Sequence, residues 1–181
     1  VLKRILLLTG RPGVGKTTVL QRVIQALSSR GYDIGGMVTR EVREGGARIG
    51  FEIEDLTNGR RGWLARVDQP FGPRVGKYRV NLRGLDSVGA RAILDAVYES
   101  DVIVIDEVGP MELFSSSFRE AVRKAVGSDK PVLGTVHYRA RNPLIEFIKK
   151  REDAEIIEVT VKNRDSLYRL LVERIVDLKS I

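Results

Sequence analysis

The segment from Gly10 to Thr17 constrains the fold of this chain more than any other feature. It reads Gly-Arg-Pro-Gly-Val-Gly-Lys-Thr and matches the pattern G-x-x-x-x-G-K-[ST] at every fixed position. The apolar run Ile5–Leu8 before it predicts a buried strand, and apolar residues recur at helical spacing between Val19 and Leu27 after it. A glycine-rich turn between a strand and a helix curls the main chain so that several N–H groups converge on one anion. We therefore expect a phosphate-binding loop (P-loop) rather than an ordinary glycine-rich turn.

The loop combines a main-chain cradle with two side chains that carry chemistry. Lys16 is expected to reach the β- and γ-phosphates of a nucleotide, and the Thr17 hydroxyl is expected to ligate Mg²⁺. The predicted nucleotide-binding residues are Gly10, Arg11, Pro12, Gly13, Val14, Gly15, Lys16, Thr17 and Thr18.

A second motif consists of two adjacent carboxylates. The apolar strand Val102–Ile105 ends in Asp106 and Glu107. On a parallel sheet near the first strand, Asp106 is expected to hold a Mg²⁺-bound water, and Glu107 to deprotonate a water that attacks the γ-phosphate. A surface Asp-Glu pair that closes a strand is common by itself, but the complete phosphate loop favours the catalytic interpretation. Glu107 and Lys16 are thus the predicted catalytic residues, and Thr17 and Asp106 the predicted metal ligands.

A further strand is predicted between these two. P-loop proteins with an adjacent Asp-Glu pair place another strand between the two motif strands, and 131–136 is its natural occupant here. Thr135, or His137 just beyond it, is then expected near the γ-phosphate as a polar sensor. For His137, a partly exposed loop histidine is the alternative.

The order of elements predicts the fold class. Short apolar strands alternate with helical patterns, which indicates an α/β fold, a P-loop three-layer sandwich with a mostly parallel sheet. The stretch from about 34 to 81 differs, because Gly45-Gly46 and Asn58-Gly59 lie between β-rich runs and predict an antiparallel meander. This stretch is too short to bury its own core, so 1–181 is predicted to be a single domain with an insertion.

Local signals predict the remaining elements. Ser117 and Glu120 have the spacing of a capping box, which predicts the start of a helix. Asn142 followed by Pro143 is typical of an N-cap with proline at the first helical position, which predicts the start of another helix. The other expected elements are a loop through 70–76 before a strand at 78–81, a helix over roughly 87–99, a strand over 155–161 and a final helix capped by Asn163.

Composition narrows the classes of function. The chain has no Cys and one His, so a disulfide framework and a thiol nucleophile are excluded, and a Ser/His/Asp hydrolase is disfavoured. It has 31 Lys and Arg against 24 Asp and Glu, a net charge of +7 that favours phosphate-bearing partners, either small molecules or nucleic acid. Its early apolar run is too short for a signal segment or a membrane span. We expect a cytoplasmic monomer with no membrane partner.

The residues around both motifs resemble the THEP-type (cancer-related) nucleoside-triphosphatases, a family of small P-loop proteins with a RecA-like core. The phosphate loop is common to many families, whereas the continuation Glu-Val-Gly-Pro-Met-Glu-Leu over 107–113 is much more specific. The resemblance spans almost the whole chain, and its matching segments are 9–18, 41–51, 75–78, 106–113 and 133–136.

This resemblance implies Mg²⁺-dependent hydrolysis of ATP, GTP and other nucleoside triphosphates to diphosphate and phosphate, with broad base tolerance and slow turnover. The sequence is compatible with poor base selection, because a guanine-reading Asn-Lys-x-Asp segment is absent. Asn163 and Arg164 join the last strand to the last helix. We interpret this segment in two ways. Either a base stacks on the plane of the Arg164 guanidinium, or Asn163 simply caps the last helix.

Charge on the transferring phosphoryl group needs compensation beyond Lys16 and the metal. Arg139 and Arg141 follow the predicted sensor strand and are candidate arginine fingers, with solvated surface residues as the alternative. Glu112 is either a partner of Glu107 or a charge at a helix N-terminus. Further candidate fingers on the meander are Arg40, Arg43 and Arg48.

Two other functions use the same motifs. The first is a nucleotide or small-molecule kinase, in which an acceptor hydroxyl replaces the attacking water; Glu107 argues for water. The second is a nucleic-acid-stimulated ATPase, which the net charge suggests. It is not favoured, because Phe51, Trp63 and Phe71 do not form an aromatic platform that alternates with basic residues.

Overall fold

The computed structural model describes residues 1–181. Its strands are β1 (Ile5–Thr9), β2 (Ile34–Glu44), β3 (Ala47–Asp55), β4 (Arg61–Arg66), β5 (Arg74–Val75), β6 (Tyr78–Val80), β7 (Val102–Val108), β8 (Val132–Val136) and β9 (Ala154–Glu158). Its helices are α1 (Lys16–Ser29), α2 (Leu82–Gly84), α3 (Arg91–Glu99), α4 (Ser116–Gly127), α5 (Pro143–Lys149) and α6 (Arg164–Lys179). A π-helical stretch, Leu85–Ala90, joins α2 to α3, and a 3₁₀ turn, Glu112–Phe114, precedes α4. None of the helices combines the length and the apolar character needed to cross a bilayer.

All nine strands form one sheet in the order β5-β6-β4-β3-β2-β7-β8-β1-β9. The pairs β2–β7, β7–β8, β8–β1 and β1–β9 are parallel, as the α/β alternation predicts. β8 lies between β1 and β7, which confirms the strand predicted between the two motif strands. Because the carboxyl ends of parallel strands meet at one edge of a sheet, the loop after β1 and the acidic end of β7 share that edge.

Helices cover both faces of the parallel strands. Alternate residues of a strand point to opposite faces. Ile5 and Leu7 of β1 pack in a cluster with α3, α4 and α5, whereas Leu6 and Leu8 pack in a cluster with α1 and α6. These four residues are at most 2% exposed. The predicted three-layer sandwich is confirmed, and its buried strands hold the motif loops at the edge of the sheet.

Strands β3 to β6 continue the sheet as the predicted antiparallel meander. Its first turn falls at Gly45 and Gly46, whose φ values of 54° and 80° lie in the left-handed region that favours glycine. The predicted start of the insertion at residue 34 is wrong, because Ile34–Met37 pairs in parallel with β7. The insertion begins after Met37, where the same strand pairs with β3 alone.

Side chains that cap the helices explain two errors in the predicted element ends. The helix predicted over roughly 87–99 begins at Leu82, because Asn81 Oδ1 accepts the amide of Gly84. α4 is capped by Ser115, whose Oγ accepts the amide of Phe118, and not by Ser117. The remaining differences are a last strand that ends at 158 instead of 161 and a short strand, 74–75, within the predicted loop.

Candidate active site

The loop between β1 and α1 wraps around the N-terminus of the helix. Gly15 ends the loop with a φ of 113°, and at Gly10, with a φ of 148°, a Cβ would lie 2.8 Å from the carbonyl oxygen of Val159. The amide of Val14 donates to the carbonyl of Arg11 at 3.1 Å and closes the turn. The first amides of a helix have no partner within it, so here they point, with the positive end of the helix, at one place. This arrangement suits a phosphate.

Lys16 begins α1 and folds its side chain over the loop. Its Nζ donates to the carbonyl oxygen of Gly10 at 2.7 Å and to that of Arg11 at 3.4 Å. The ammonium group therefore stands at the mouth of the cradle. Of the predicted nucleotide-binding residues, Gly10, Arg11 and Val14 build the loop without lining its cleft. Those that line the cleft are Pro12, Gly13, Gly15, Lys16, Thr17 and Thr18.

The acidic end of β7 meets this loop in front of β8. Thr17 Oγ1 donates to Asp106 Oδ2 at 3.3 Å, although the two residues are 89 positions apart in the chain. Thr135 Oγ1, on β8, donates to the other carboxylate oxygen, Asp106 Oδ1, at 2.6 Å. Thr135 is 1% exposed and does not line the cleft, and its predicted role as a sensor of the γ-phosphate stays a prediction. The hydroxyl of Thr135 fixes the orientation of the Asp106 carboxylate.

Asp106 is a buried carboxyl group, with 3% of its surface exposed. Burial raises the pKa of Asp106 to about 6, and the negative charge of Glu107 contributes to the rise. The hydrogen bonds from Thr135 and Thr17 and the positive charge of Lys16 act in the opposite direction. A carboxylate that has lost this much hydration gains strongly from a nearby cation.

Glu107 follows Asp106 and lines the cleft, where its side chain is half-buried. Burial raises the pKa of Glu107, and the positive charge of Lys16 opposes that rise. Its carboxyl group lies beside that of Glu112: a Cβ on Gly109 would be 2.7 Å from Glu107 Oε1 and 3.0 Å from Glu112 Oε2. Glycine at 109 thus leaves room for both carboxyl groups.

Glu112 is 3% exposed and begins the 3₁₀ turn rather than a helix. Burial raises the pKa of Glu112 well above its usual value, and the negative charges of Glu107 and Asp106 raise it further. Hydrogen bonds from the amides of Glu112 and Gly109 lower it in part. Of the two predicted roles, the position of Glu112 favours the partner of Glu107.

Replacing Glu112 by Gln is expected to stabilise the folded protein, and to do so more strongly as the pH rises. Because folding raises the pKa of Glu112, its contribution to stability is fully present below about pH 4.3 and is lost as the pH rises through the raised pKa. Gln does not ionise and avoids this loss. Each unit of increase in pKa corresponds to about 1.4 kcal/mol, or about 3–6 °C in Tm for a chain of this length.

Thermal unfolding of the wild type and Glu112→Gln at about pH 4 and about pH 8 measures this difference. Glu120→Gln, at an exposed position on α4, is the matched control and should change Tm little at either pH. The same Tm difference between Glu112→Gln and the wild type at both pH values would contradict a raised pKa.

The cleft has a volume of about 580 Å³ and two walls. The phosphate loop and the end of β7 form one wall, and the meander forms the other. Four residues of the cleft were not predicted from the sequence, because no spacing along the chain marks them. The only signal was that two of the four lie in the family-like segment 41–51. The missed residues are Gln21, Thr39, Glu41 and Phe51.

Of the three meander arginines predicted as fingers, only Arg40 lines the cleft. Its Nε and Nη2 donate to Glu52 Oε2 at 2.8 and 2.5 Å. Arg43 and Arg48 do not line the cleft and pair with Glu41 instead, at 3.3 and 2.8 Å. The hydrogen bond from Arg48 lowers the pKa of Glu41. These two arginines therefore position a carboxylate on the meander wall.

Arg139 and Arg141, the other predicted fingers, are exposed on the loop after β8 and line a separate cavity. His137 does line the cleft, and its Nδ1 accepts the amide of Arg139 at 3.2 Å. Burial lowers the pKa of His137, and the charges of Lys16 and Arg139 lower it further. His137 is thus a neutral ring at the cleft, and the two arginines lie outside it in this structure.

Asn163 and Arg164 lie behind the phosphate loop. Arg164 Nη1 donates to the carbonyl oxygen of Val14 at 3.3 Å. Asn163 stands at the start of α6, but its Nδ2 donates to the carbonyl of Glu158 at 2.9 Å and its Oδ1 accepts the amide of Thr160 at 2.8 Å. Asn163 therefore occupies the predicted N-cap position, but its side chain makes no capping hydrogen bond to the helix. Contact of either residue with a base stays a prediction.

Comparisons with known proteins cover nearly the whole chain. The profile of a family described as NTPase matches residues 5–172. Nucleoside-triphosphatase THEP1 of Thermofilum pendens is 53% identical over 173 residues, which cover 95% of both chains. The chain belongs to the THEP1 nucleoside-triphosphatase family. THEP1 of Thermotoga petrophila is 47% identical over 164 residues, which cover 91% of this chain and 88% of that protein.

Solved structures confirm the fold of this THEP1-family chain. THEP1 from Aquifex aeolicus superposes with a TM-score of 0.80 at 32% identity, over 93% of this chain and 97% of its own. A human cancer-related nucleoside triphosphatase superposes with a TM-score of 0.79 at 38% identity, over 94% and 96% of the two chains. The resemblance predicted from the two motifs is therefore confirmed. As a member of the THEP1 family, the chain is an enzyme of the nucleoside-triphosphatase class.

Proposed function

We propose that this protein hydrolyses nucleoside triphosphates to diphosphate and phosphate, that it requires Mg²⁺ and that it has little preference for the base. The observation that carries the proposal is the contact of Thr17 Oγ1 with Asp106 Oδ2 at 3.3 Å, which joins the phosphate loop to the acidic strand end. Around this contact, the cleft also holds the Lys16 ammonium and the Glu107 carboxylate. The similarity to nucleoside-triphosphatases of other organisms supports hydrolysis of nucleoside triphosphates.

Each group has a role that its position supports. The loop amides and Lys16 bind the phosphates and balance the negative charge that grows on the oxygen bridging the β- and γ-phosphorus. Glu107 accepts a proton from water as the water oxygen bonds to the γ-phosphorus and the bond to the bridging oxygen breaks. The diphosphate leaves with that electron pair, and phosphate and the proton follow. Burial raises the pKa of Glu107, which makes its carboxylate a stronger proton acceptor.

The residues present fit Mg²⁺. The Thr17 hydroxyl and the Asp106 carboxylate are hard oxygen ligands, and Mg²⁺ usually takes only a few protein ligands beside waters and substrate phosphates. Thr135 donates a hydrogen bond to Asp106 Oδ1, so that Asp106 Oδ2 faces Thr17. When bound there, Mg²⁺ would neutralise charge on the β- and γ-phosphate oxygens.

Broad base tolerance is supported by the groups behind the loop. The Arg164 guanidinium lies beside the loop at Val14, and a planar cation stacks on any base. The Asn163 amide is already bonded to the main chain through both its nitrogen and its oxygen. It therefore has little remaining capacity to read the edge of one base.

Phosphate release from ATP, GTP, CTP and UTP, each with Mg²⁺ and with EDTA, tests the proposal. We expect release from all four with Mg²⁺, at rates within about tenfold of one another because stacking does not distinguish bases, and none with EDTA. Release from one nucleotide alone would contradict the broad specificity. Equal release with EDTA would contradict the metal requirement, and no release from any nucleotide would contradict hydrolysis.

Replacing Thr135 by Val is expected to raise the Mg²⁺ concentration needed for half-maximal hydrolysis. The substitution keeps the shape of the side chain but removes the hydrogen bond that orients Asp106. Loss of such a supporting group typically costs about 10–100-fold in metal affinity. A Mg²⁺ titration of phosphate release measures the effect, with Thr135→Ser as the control that keeps the hydroxyl. An unchanged Mg²⁺ requirement in Thr135→Val would show that Asp106 does not depend on Thr135.

A second cavity favours one other function, phosphoryl transfer to a small acceptor. This cavity, of about 420 Å³, lies between α1 and strands β2 and β3 and shares Gln21, Thr39 and Arg40 with the cleft. A hydroxyl compound in it would replace water, and Glu107 would take its proton. Phosphate release from ATP without an added acceptor supports hydrolysis, whereas strict dependence on an acceptor supports transfer. The apolar residues of this cavity are Ile24, Val38 and Leu56.

A further inference from the structure

A cavity of about 900 Å³, larger than the cleft, lies on the surface beyond β8. The loop after β8 and helix α5 line it, and none of its residues lines the cleft. It begins one residue after His137, which does line the cleft. Its lining residues are Tyr138, Arg139, Ala140, Arg141, Glu146 and Lys149.

Positive charge dominates this cavity. It contains three cationic side chains and one carboxylate, Glu146, whose Oε1 lies 3.5 Å from the Nζ of Lys149. Neither Arg139 nor Arg141 forms an ion pair. Two exposed guanidinium groups without a carboxylate partner are available to an anionic ligand. Many arginines of the meander, in contrast, are paired with carboxylates: Arg40, Arg43, Arg48, Arg61 and Arg66.

Exposed aromatic rings accompany these cations. Tyr138 lines the cavity and is 42% exposed. Phe147 follows Glu146 on α5 and is also 42% exposed. The guanidinium carbons of Arg123 and Arg151 lie 5.5 and 5.9 Å from the centre of the Phe147 ring. Phe147, Arg123 and Arg151 do not line the cavity. We call the ring and the three cations that do line it the basic-aromatic surface: Tyr138, Arg139, Arg141 and Lys149.

We propose that the basic-aromatic surface binds single-stranded nucleic acid. Arg139, Arg141 and Lys149 would neutralise backbone phosphates, and an unpaired base would stack on Tyr138. Single-stranded nucleic acid uses both the cations and the exposed ring. Its phosphates bind cations, and its bases are free to stack on a ring because they are not stacked in a duplex. A purely acidic polymer would use the cations but not the ring. The proposal is independent of the proposed hydrolysis, because binding is measured without nucleotide.

Fluorescence anisotropy of a labelled oligo(dT) of twenty nucleotides tests binding. The measurement uses the full chain at two or more salt concentrations. We expect the double variant Arg139→Ala/Arg141→Ala to bind about tenfold or more weakly, since two phosphate contacts are lost. The slope of the logarithm of the affinity against the logarithm of the salt concentration should become shallower by about 1.4, or about 0.7 for each contact with a single strand. Arg60→Ala/Arg74→Ala removes the same charge from exposed meander positions and should bind like the wild type.

The aromatic contribution is tested at Tyr138. Tyr138→Ala is expected to bind about fivefold or more weakly, whereas Tyr138→Phe, which keeps the ring, should bind like the wild type. Equal weakening by both double arginine variants would overturn the proposal, because only net charge would then matter. So would the absence of any binding at low salt, or displacement of oligo(dT) by poly-glutamate with no effect of Tyr138→Ala. All these positions are exposed, so unchanged Tm values should show that the variants fold.

Discussion

Replacing Glu107 by Gln is expected to remove most of the turnover and to leave the binding of Mg²⁺ and nucleotide unchanged. Gln has nearly the shape of Glu and fits the same space beside Gly109, but it does not accept a proton from the attacking water. Removal of a general base typically costs about 10²–10⁴-fold in rate. Single-turnover phosphate release measures the rate, and titration with a fluorescent nucleotide analogue measures the affinity.

Glu44→Gln is the matched control for this variant, because Glu44 is exposed at the end of β2 and does not line the cleft. It should hydrolyse nucleotide at the rate of the wild type. Hydrolysis at that rate by Glu107→Gln would show that another group activates the water. Loss of nucleotide binding together with turnover would show that Glu107 holds the substrate rather than the water.

Replacing Lys16 by Ala is expected to weaken both nucleotide binding and hydrolysis. The ammonium group stands at the mouth of the loop, where it donates to the carbonyls of Gly10 and Arg11 and lines the proposed phosphate cleft. Loss of a hydrogen bond to a charged group costs about 1.5–3 kcal/mol, or about 10–150-fold in affinity. The transition state carries more charge, so kcat should fall further, by about 10²–10³-fold.

Binding and turnover of Lys16→Ala are measured in the same assays as for Glu107→Gln. Lys124→Ala removes the same charge from an exposed position on α4 and should change neither value. An unchanged nucleotide affinity in Lys16→Ala would contradict the assignment of the phosphate cradle. The two variants together separate binding from chemistry. Lys16→Ala should lower both the nucleotide affinity and the turnover, whereas Glu107→Gln should lower only the turnover.

The groups expected to do the chemistry were predictable because they lie in two contiguous motifs. The phosphate loop needs only the local order of strand, glycine-rich turn and helix. The loop lies close to Asp106 and Glu107 because β1, β8 and β7 are parallel neighbours, and the carboxyl ends of parallel strands lie at the same edge of a sheet. The contact of Thr17 with Asp106 follows from that arrangement.

The groups that support this chemistry depend on side-chain direction, which sequence patterns specify poorly. Thr135 was expected to face the cleft, but on β8 its hydroxyl points at Asp106. The burial of Glu112 depends on the 3₁₀ turn that folds it back beside Glu107, and no periodic pattern predicts such a turn.

The meander shows the same limit. Arg40, Arg43 and Arg48 are equivalent as residue types, yet only Arg40 lines the cleft. The pairing of β2 with β3 brings Arg48 onto Glu41, whereas Arg43 reaches Glu41 from two positions along the same strand. The register of an antiparallel pair decides which side chains are neighbours, and the turn signals alone predict only that the pair forms.

A crystal structure of the protein with Mg²⁺ and a non-hydrolysable ATP analogue is the most direct test of the account. We predict that the β- and γ-phosphates lie on the loop amides and on Lys16 Nζ, with the metal beside Thr17 Oγ1 and Asp106. Glu107 should face the γ-phosphate across one water. Phosphates bound outside the loop, or a Glu107 carboxylate turned away from the γ-phosphate, would contradict the proposed site.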